Sequence, residues 1–195
     1  MNDTLLWYTT RGAGAVSLVL LTAVVLLGLM TSLRFETESW PRFLAAGLHR
    51  NLALMSVIFV VLHVVTAVVD PYAHLGWAPA VIPFASSYRT FWLGLGTIAA
   101  ELMMAIIATS LLRRFLGHRS WRAVHWLAYV SWPVAFVHSL GTGTDAGSDW
   151  LLGLGVICGG AVVVAVVGRL WVGPTDPLAQ ARALFRAATE RSARP

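Results

Sequence analysis

The chain is 195 residues long, 57% hydrophobic and only 12% charged, with a mean hydropathy of +0.72, a balance that excludes an ordinary soluble domain and indicates an all-α membrane protein. All fourteen basic residues are arginine and the formal net charge is +5, but the arginines gather at the ends of apolar blocks, so membrane orientation accounts for them and nucleic acid is not needed as a partner. The single cysteine, Cys158, lies inside an apolar block, which excludes a disulfide framework and a thiolate metal cluster and leaves it a packing role.

Residues 1–9 read as a short extracytoplasmic N-terminus and 10–172 as a bundle of five transmembrane helices, near 10–33, 43–69, 90–112, 121–141 and 149–172. Each block is long enough to cross a hydrocarbon core of about 30 Å at about 1.5 Å per residue. The first is longer than the apolar region of a secretory signal, and no small-x-small cleavage pattern follows before Leu33-Arg34, so it is read as a retained span. Residues 70–89, DPYAHLGWAPAVIPFASSYR, hold four prolines or glycines and several aromatics, which suggests an ordered loop lying against the membrane. In the third span Glu101 lies near the midpoint, where a carboxylate is expensive unless paired or protonated. A proton or quinone role and a neutral hydrogen bond to a neighbouring helix both remain open for it. After the fifth span, Asp176-Pro177 suits a helix N-terminus. Leu178, Ala181, Leu184, Phe185 and Ala188 then form one stripe beside Arg182 and Arg186. Residues 173–195 are expected to be a basic cytoplasmic tail, either a short amphipathic helix on the lipid surface or a solvated segment.

Orientation follows from the arginines. If RRFLGHRSWR at 113–122 is cytoplasmic, twelve arginines, including Arg34, Arg42, Arg50 and Arg169, share that side, and only Arg11 and Arg89 lie opposite. The N-terminus is then outside and the C-terminus inside.

The chemistry rests on histidine. HRNLALMSVIFVVLH runs from His49 to His63, and HWLAYVSWPVAFVH from His125 to His138. Both spans run from cytoplasm to outside, so His49 pairs in depth with His125, and His63 with His138. Separations of 14 and 13 residues correspond to about 21 and 20 Å of helix. One intramembrane histidine is more often structural than not, but four at two matched depths point to a joint ligand role. Neither level offers Cys, Asp or Glu from these helices to complete the three or four donors that bare zinc or copper wants. Haem iron needs only two axial donors, so a bis-histidine haem at each level uses all four side chains. Ala45, Ala46, Ala53, Ala128, Ser131 and Ala135 are small enough to let a flat macrocycle approach. Fourteen α-helical residues return to within about 40° of the starting face, whereas thirteen miss by about 140°. Pro133, between His125 and His138, is the expected site of a phase reset.

The H-x13-H and H-x12-H spacings, the hairpin between them and the opening WYTTRGAG, with its Arg-x-x-Gly, resemble the ferric reductase-like transmembrane domains. That family includes the membrane part of NADPH oxidases and the haem subunit of bacterial periplasmic methionine sulfoxide reductase systems. The resemblance covers about residues 7–172. It implies two haem b groups, an inner one on His49 with His125 and an outer one on His63 with His138. Many members have six spans where five are counted here, and no glycine-rich nucleotide fingerprint or flavin domain is seen. The implied activity is transmembrane electron transfer from a separate cytoplasmic-side flavoprotein or quinol to a separate extracytoplasmic acceptor, in a bacterial-type inner membrane. Two other readings stand beside it: a haem-bearing anchor subunit of a periplasmic redox enzyme, and a non-haem proton or metal transporter using the four histidines and Glu101.

Arg11 and Arg89 fall at the outer level and Arg50 and Arg122 at the inner one, where arginine could pair with haem propionates, Arg11 first among them. His74 and His118 read as solvated loop residues. Trp40, Trp77, Trp92, Trp121 and Trp150 fall at span ends, as interfacial tryptophans do.

Overall fold

A computed structural model describes residues 3–32, 41–71, 75–142 and 147–172. His74, Arg34, Trp40 and the expected amphipathic helix of the tail lie outside the described residues. Among those described there are eight helices and no strand.

Helices α1 (Asp3–Ser32) and α2 (Arg42–Val69) are long, nearly uninterrupted apolar runs. Pro41, extended at φ −70°, ψ 149°, opens α2. The helix stops where Asp70 precedes Pro71, because the proline ring disfavours helical backbone in the residue before it; Asp70 is extended at φ −70°, ψ 118°. The short α3 (Ala78–Val81) lies in the connection to α4 (Thr90–Leu111). One-turn α5 (Arg113–Leu116) and α6 (His118–His125) follow, then α7 (Ala128–Thr142) and α8 (Asp149–Val172).

Four helices are long and apolar enough to cross a membrane: Thr4–Ser32, Phe43–Val69, Thr90–Leu111 and Asp149–Trp171. The span expected at 121–141 is instead a broken helix, with α6 and α7 meeting at Trp126 and Leu127. The chain is wound more tightly there: Leu127, Tyr129 and Val130 donate their amides to the carbonyls of Val124, Trp126 and Leu127, three residues back rather than four. Pro133 is the physical reason for irregularity in this region, since it has no N–H for the carbonyl of Tyr129 and its ring crowds that carbonyl. Pro133 itself sits inside continuous α7, so the phase reset lies upstream of it. Each residue wound at three per turn turns about 20° further than an α-helical one. About five such residues bring the thirteen-residue spacing to the rotation that fourteen α-helical residues reach.

α1 packs along α2 and α4 along α7, while α8 lies against α1 and, less extensively, α7. Where α1, α7 and α8 meet, Leu18, Trp132, Cys158 and Val162 form a buried cluster, which gives Cys158 its packing role. Inter-helix hydrogen bonds tie the centre: Trp132 Nε1 donates to Thr22 Oγ1 (3.1 Å) and Ser131 Oγ to the Ala99 carbonyl (3.2 Å). Such side-chain bonds join helices where water cannot compete. The outward faces are apolar, with Ile157, Val164 and Leu170 exposed, as expected of a surface that meets lipid.

Over one end of the bundle, Thr97 Oγ1 donates to the Pro79 carbonyl (2.6 Å), fastening the α3 connection to α4. Phe84 is pressed onto Gly94, where an added Cβ would come within 2.2 Å of the ring. Phe84 and Arg89 both have positive φ, 63° and 41°, a conformation that costs a non-glycine residue about 1 kcal/mol.

Candidate functional site

The four histidines of α2, α6 and α7 come together in two pairs. The ring centroids of His49 and His125 are 6.1 Å apart with planes at 67°, and those of His63 and His138 are 6.3 Å apart at 79°. The first pair lies towards the arginine-rich end carrying α5 and α6, the second towards the end covered by the α3 connection.

Three of the rings are aimed by backbone carbonyls of a neighbouring helix. His63 Nδ1 donates to Thr10 O (2.8 Å), His49 Nδ1 to Val24 O (3.0 Å) and His138 Nδ1 to Trp92 O (2.7 Å). A carbonyl only accepts, so the proton is on Nδ1 and the Nε2 lone pair is free to ligate. Four residues beyond each carbonyl stands a glycine facing the same ring. A Cβ on Gly14 would be 3.0 Å from His63, one on Gly28 3.4 Å from His49, and one on Gly96 2.5 Å from His138. The missing side chain makes room for His138 at Gly96 and, less tightly, for His63 at Gly14, whereas at Gly28 a Cβ would be in ordinary contact with His49. Gly14 is the glycine of the Arg-x-x-Gly opening, whereas Gly28, Gly96 and the three carbonyls carry no motif; Gly14 and Gly28 repeat the fourteen-residue spacing of His49 and His63.

His125 is held differently. Its Nδ1 is buried without a hydrogen-bond partner, and its ring stacks on Trp121 with centroids 5.0 Å apart and planes at 26°.

A cavity of about 300 Å³ opens between α1, α2, α4 and α7, lined by His63 and His138 together with Arg11, Asp70 and Tyr88, and reaches Ser131 and Ala135 at mid-depth. Arg11 thus lies at the level of the second pair, with its guanidinium 4.1 Å from the Trp7 ring centre. Arg89 instead donates from Nη1 to the Gly141 carbonyl, joining the start of α4 to the end of α7. Ala45 is buried but Ala46 faces outward. Arg50, Arg122 and His118 are exposed, and Glu101 lies on the exposed face of α4, apart from the cavity lining.

Among the described residues no group of three or more His, Cys, Asp or Glu could hold a metal ion. Each histidine pair therefore suits a metal that brings its other donors with it, and the distances test that fit. Metal–imidazole bonds of about 2.0 Å, with each nitrogen about 1.1 Å from its ring centre, place two trans imidazoles about 6.2 Å apart between centroids. Both pairs meet this spacing, so the residues present fit haem.

The family model for the ferric reductase like transmembrane component matches residues 13–136. The chain belongs to that family. The matched stretch covers more than half of the chain, takes in His49, His63 and His125, and ends two residues before His138. No curated protein and no solved structure matches this ferric reductase-like chain.

Proposed function

We propose that this ferric reductase-like protein carries electrons across a membrane through two b-type haems, an inner one on His49 and His125 and an outer one on His63 and His138. The observation that carries the reading is the pair of centroid distances, 6.1 and 6.3 Å, at two levels of one helical frame. Ferric reductase-like domains generally bind haem, and haem iron, when bound, supplies reversible one-electron chemistry. Held by His49 with His125 and by His63 with His138, such haems would be left no position for oxygen, which would favour electron transfer.

The chain's own residues do the placing. The carbonyls of Thr10, Val24 and Trp92 fix the tautomer and direction of three ligands. Arg11 is offered to a propionate at the outer level, on the cavity wall beside His63. The α3 connection, fastened by Thr97, covers the outer end against water. The broken α6–α7 helix makes the remaining crossing, so that five helices traverse the bilayer with the N-terminus outside. The arginine excess around 113–122 supports this orientation. The donor is a separate flavoprotein or quinol on the cytoplasmic side and the acceptor a separate extracytoplasmic one, in a bacterial-type inner membrane.

A reduced-minus-oxidised visible spectrum with haem quantitation tests the reading: two haem b per chain are expected, and none would overturn it. His63→Ala should lose the outer haem and keep the inner, and His49→Ala the reverse.

A further inference from the structure

The two histidine pairs are built unequally. In three cases a carbonyl accepts the Nδ1–H and a glycine stands four residues on, beside the ring. Moving fourteen residues along α4 from Trp92 and Gly96, to the level of His125, the corresponding positions are Ile106 and Ser110. There the glycine is replaced by serine, and the Ile106 carbonyl is taken by Ser110 Oγ (2.7 Å) and Thr109 Oγ1 (3.1 Å). His125 Nδ1 is left buried and unpartnered. Ser110 Oγ also accepts from Trp121 Nε1 (3.2 Å), holding the indole that stacks on His125. The Arg113 guanidinium lies 4.3 Å from the centre of the same indole.

Resting on the two-haem reading above, we propose that Ser110 and Trp121 are positioning residues which withhold from His125 the acceptor its three counterparts have, and so make the His49–His125 site the higher-potential of the two. A histidine whose far N–H is hydrogen-bonded is a more basic ligand and stabilises the oxidised metal. The outer site has two such ligands, the inner site one. The Arg113 guanidinium over the Trp121 indole adds positive charge beside His125, whereas Arg11 on the outer cavity wall is accompanied by Asp70 of opposite sign.

The test is a potentiometric titration of the purified holoprotein, followed in the haem visible bands. Two one-electron components are expected, and His63→Ala, which keeps the inner site, should retain only the upper one. Ser110→Gly removes the Cβ and the nearer of the two hydroxyls on the Ile106 carbonyl, leaving only the 3.1 Å contact from Thr109. It should lower the upper component by about tenfold in the reduction equilibrium, about 59 mV for a one-electron couple, and leave the lower in place. Ser110→Ala keeps a Cβ at the position where the other three sites have glycine and should shift it far less. Two haems with the inner component at or below the outer, or a Ser110→Gly potential equal to wild type, would overturn the proposal. A protein without haem b would instead remove the reading beneath it, and the haem assay separates these outcomes.

Discussion

The glycines beside the imidazoles give a graded steric experiment. Ordinary non-bonded contacts lie at about 3.5–4.0 Å. In Gly96→Ala the new methyl would stand 2.5 Å from Cε1 and 2.6 Å from Nδ1 of His138, so the ring must retreat by about 1 Å. His138 Nδ1 is 2.7 Å from Trp92 O, and the retreat would open that contact to about 3.7 Å, beyond hydrogen-bond range. Loss of an outer-shell partner weakens metal binding about 10–100-fold, so outer haem should be lost while inner haem stays. Gly28→Ala places its methyl 3.4 Å from His49, close to ordinary contact, and should keep both haems; Gly14→Ala, at 3.0 Å from His63, should fall between. Haem per protein, measured for each variant over a range of added haemin, gives the order directly. Equal losses at Gly28 and Gly96, or loss of the inner haem in Gly96→Ala, would refute the steric argument.

Thr22→Val removes the acceptor for the buried Trp132 indole and should lower stability by about 1 kcal/mol; an unchanged thermal midpoint in detergent would show that this bond contributes nothing. Glu101 lies outside the cavity lining, so Glu101→Leu should leave both haems in place, and a fall in haem content would connect it to the site after all. For orientation, Cys158→Ala with Ser87→Cys should react with an impermeant maleimide on intact cells, whereas Cys158→Ala with Ser120→Cys should react only after permeabilisation; the opposite pattern would invert the proposed topology.

Long apolar periods made most of the helices readable in the sequence, and matched spacing made the histidine pairing readable, because both depend only on rise per residue. The fourth crossing was harder. Pro133 signalled irregularity, but the tightened turn lies upstream of it, at Trp126 and Leu127, and a proline marks the region of a break rather than its residue. The carbonyls of Thr10, Val24 and Trp92 carry no side-chain signature at all, so only the three glycines could have betrayed them. Arg89 looked like a candidate for haem propionate, yet its guanidinium is directed to the Gly141 carbonyl, a contact between residues 52 apart that no spacing rule encodes. Trp121 read as an interfacial residue, and its stack on His125 emerges only once α6 is wound as a helix and the two rings stand one turn apart.

Fourteen residues is also two heptads. Gly14 and Gly28 on α1, and His49 and His63 on α2, are each separated by that interval, and in a left-handed supercoil of 3.5 residues per turn such an interval returns to the same seam. The α1–α2 pair is thereby graduated like a measuring rod, with one mark at each depth. Inserting one residue between the marks would rotate the upper by about 100° and raise it by about 1.5 Å, uncoupling histidine from glycine, whereas side-chain replacements along the rod leave its divisions unchanged. On the proposed two-haem reading, the gap an electron would cross between the two sites is thus a property of backbone counting, insulated from most of the sequence that surrounds it.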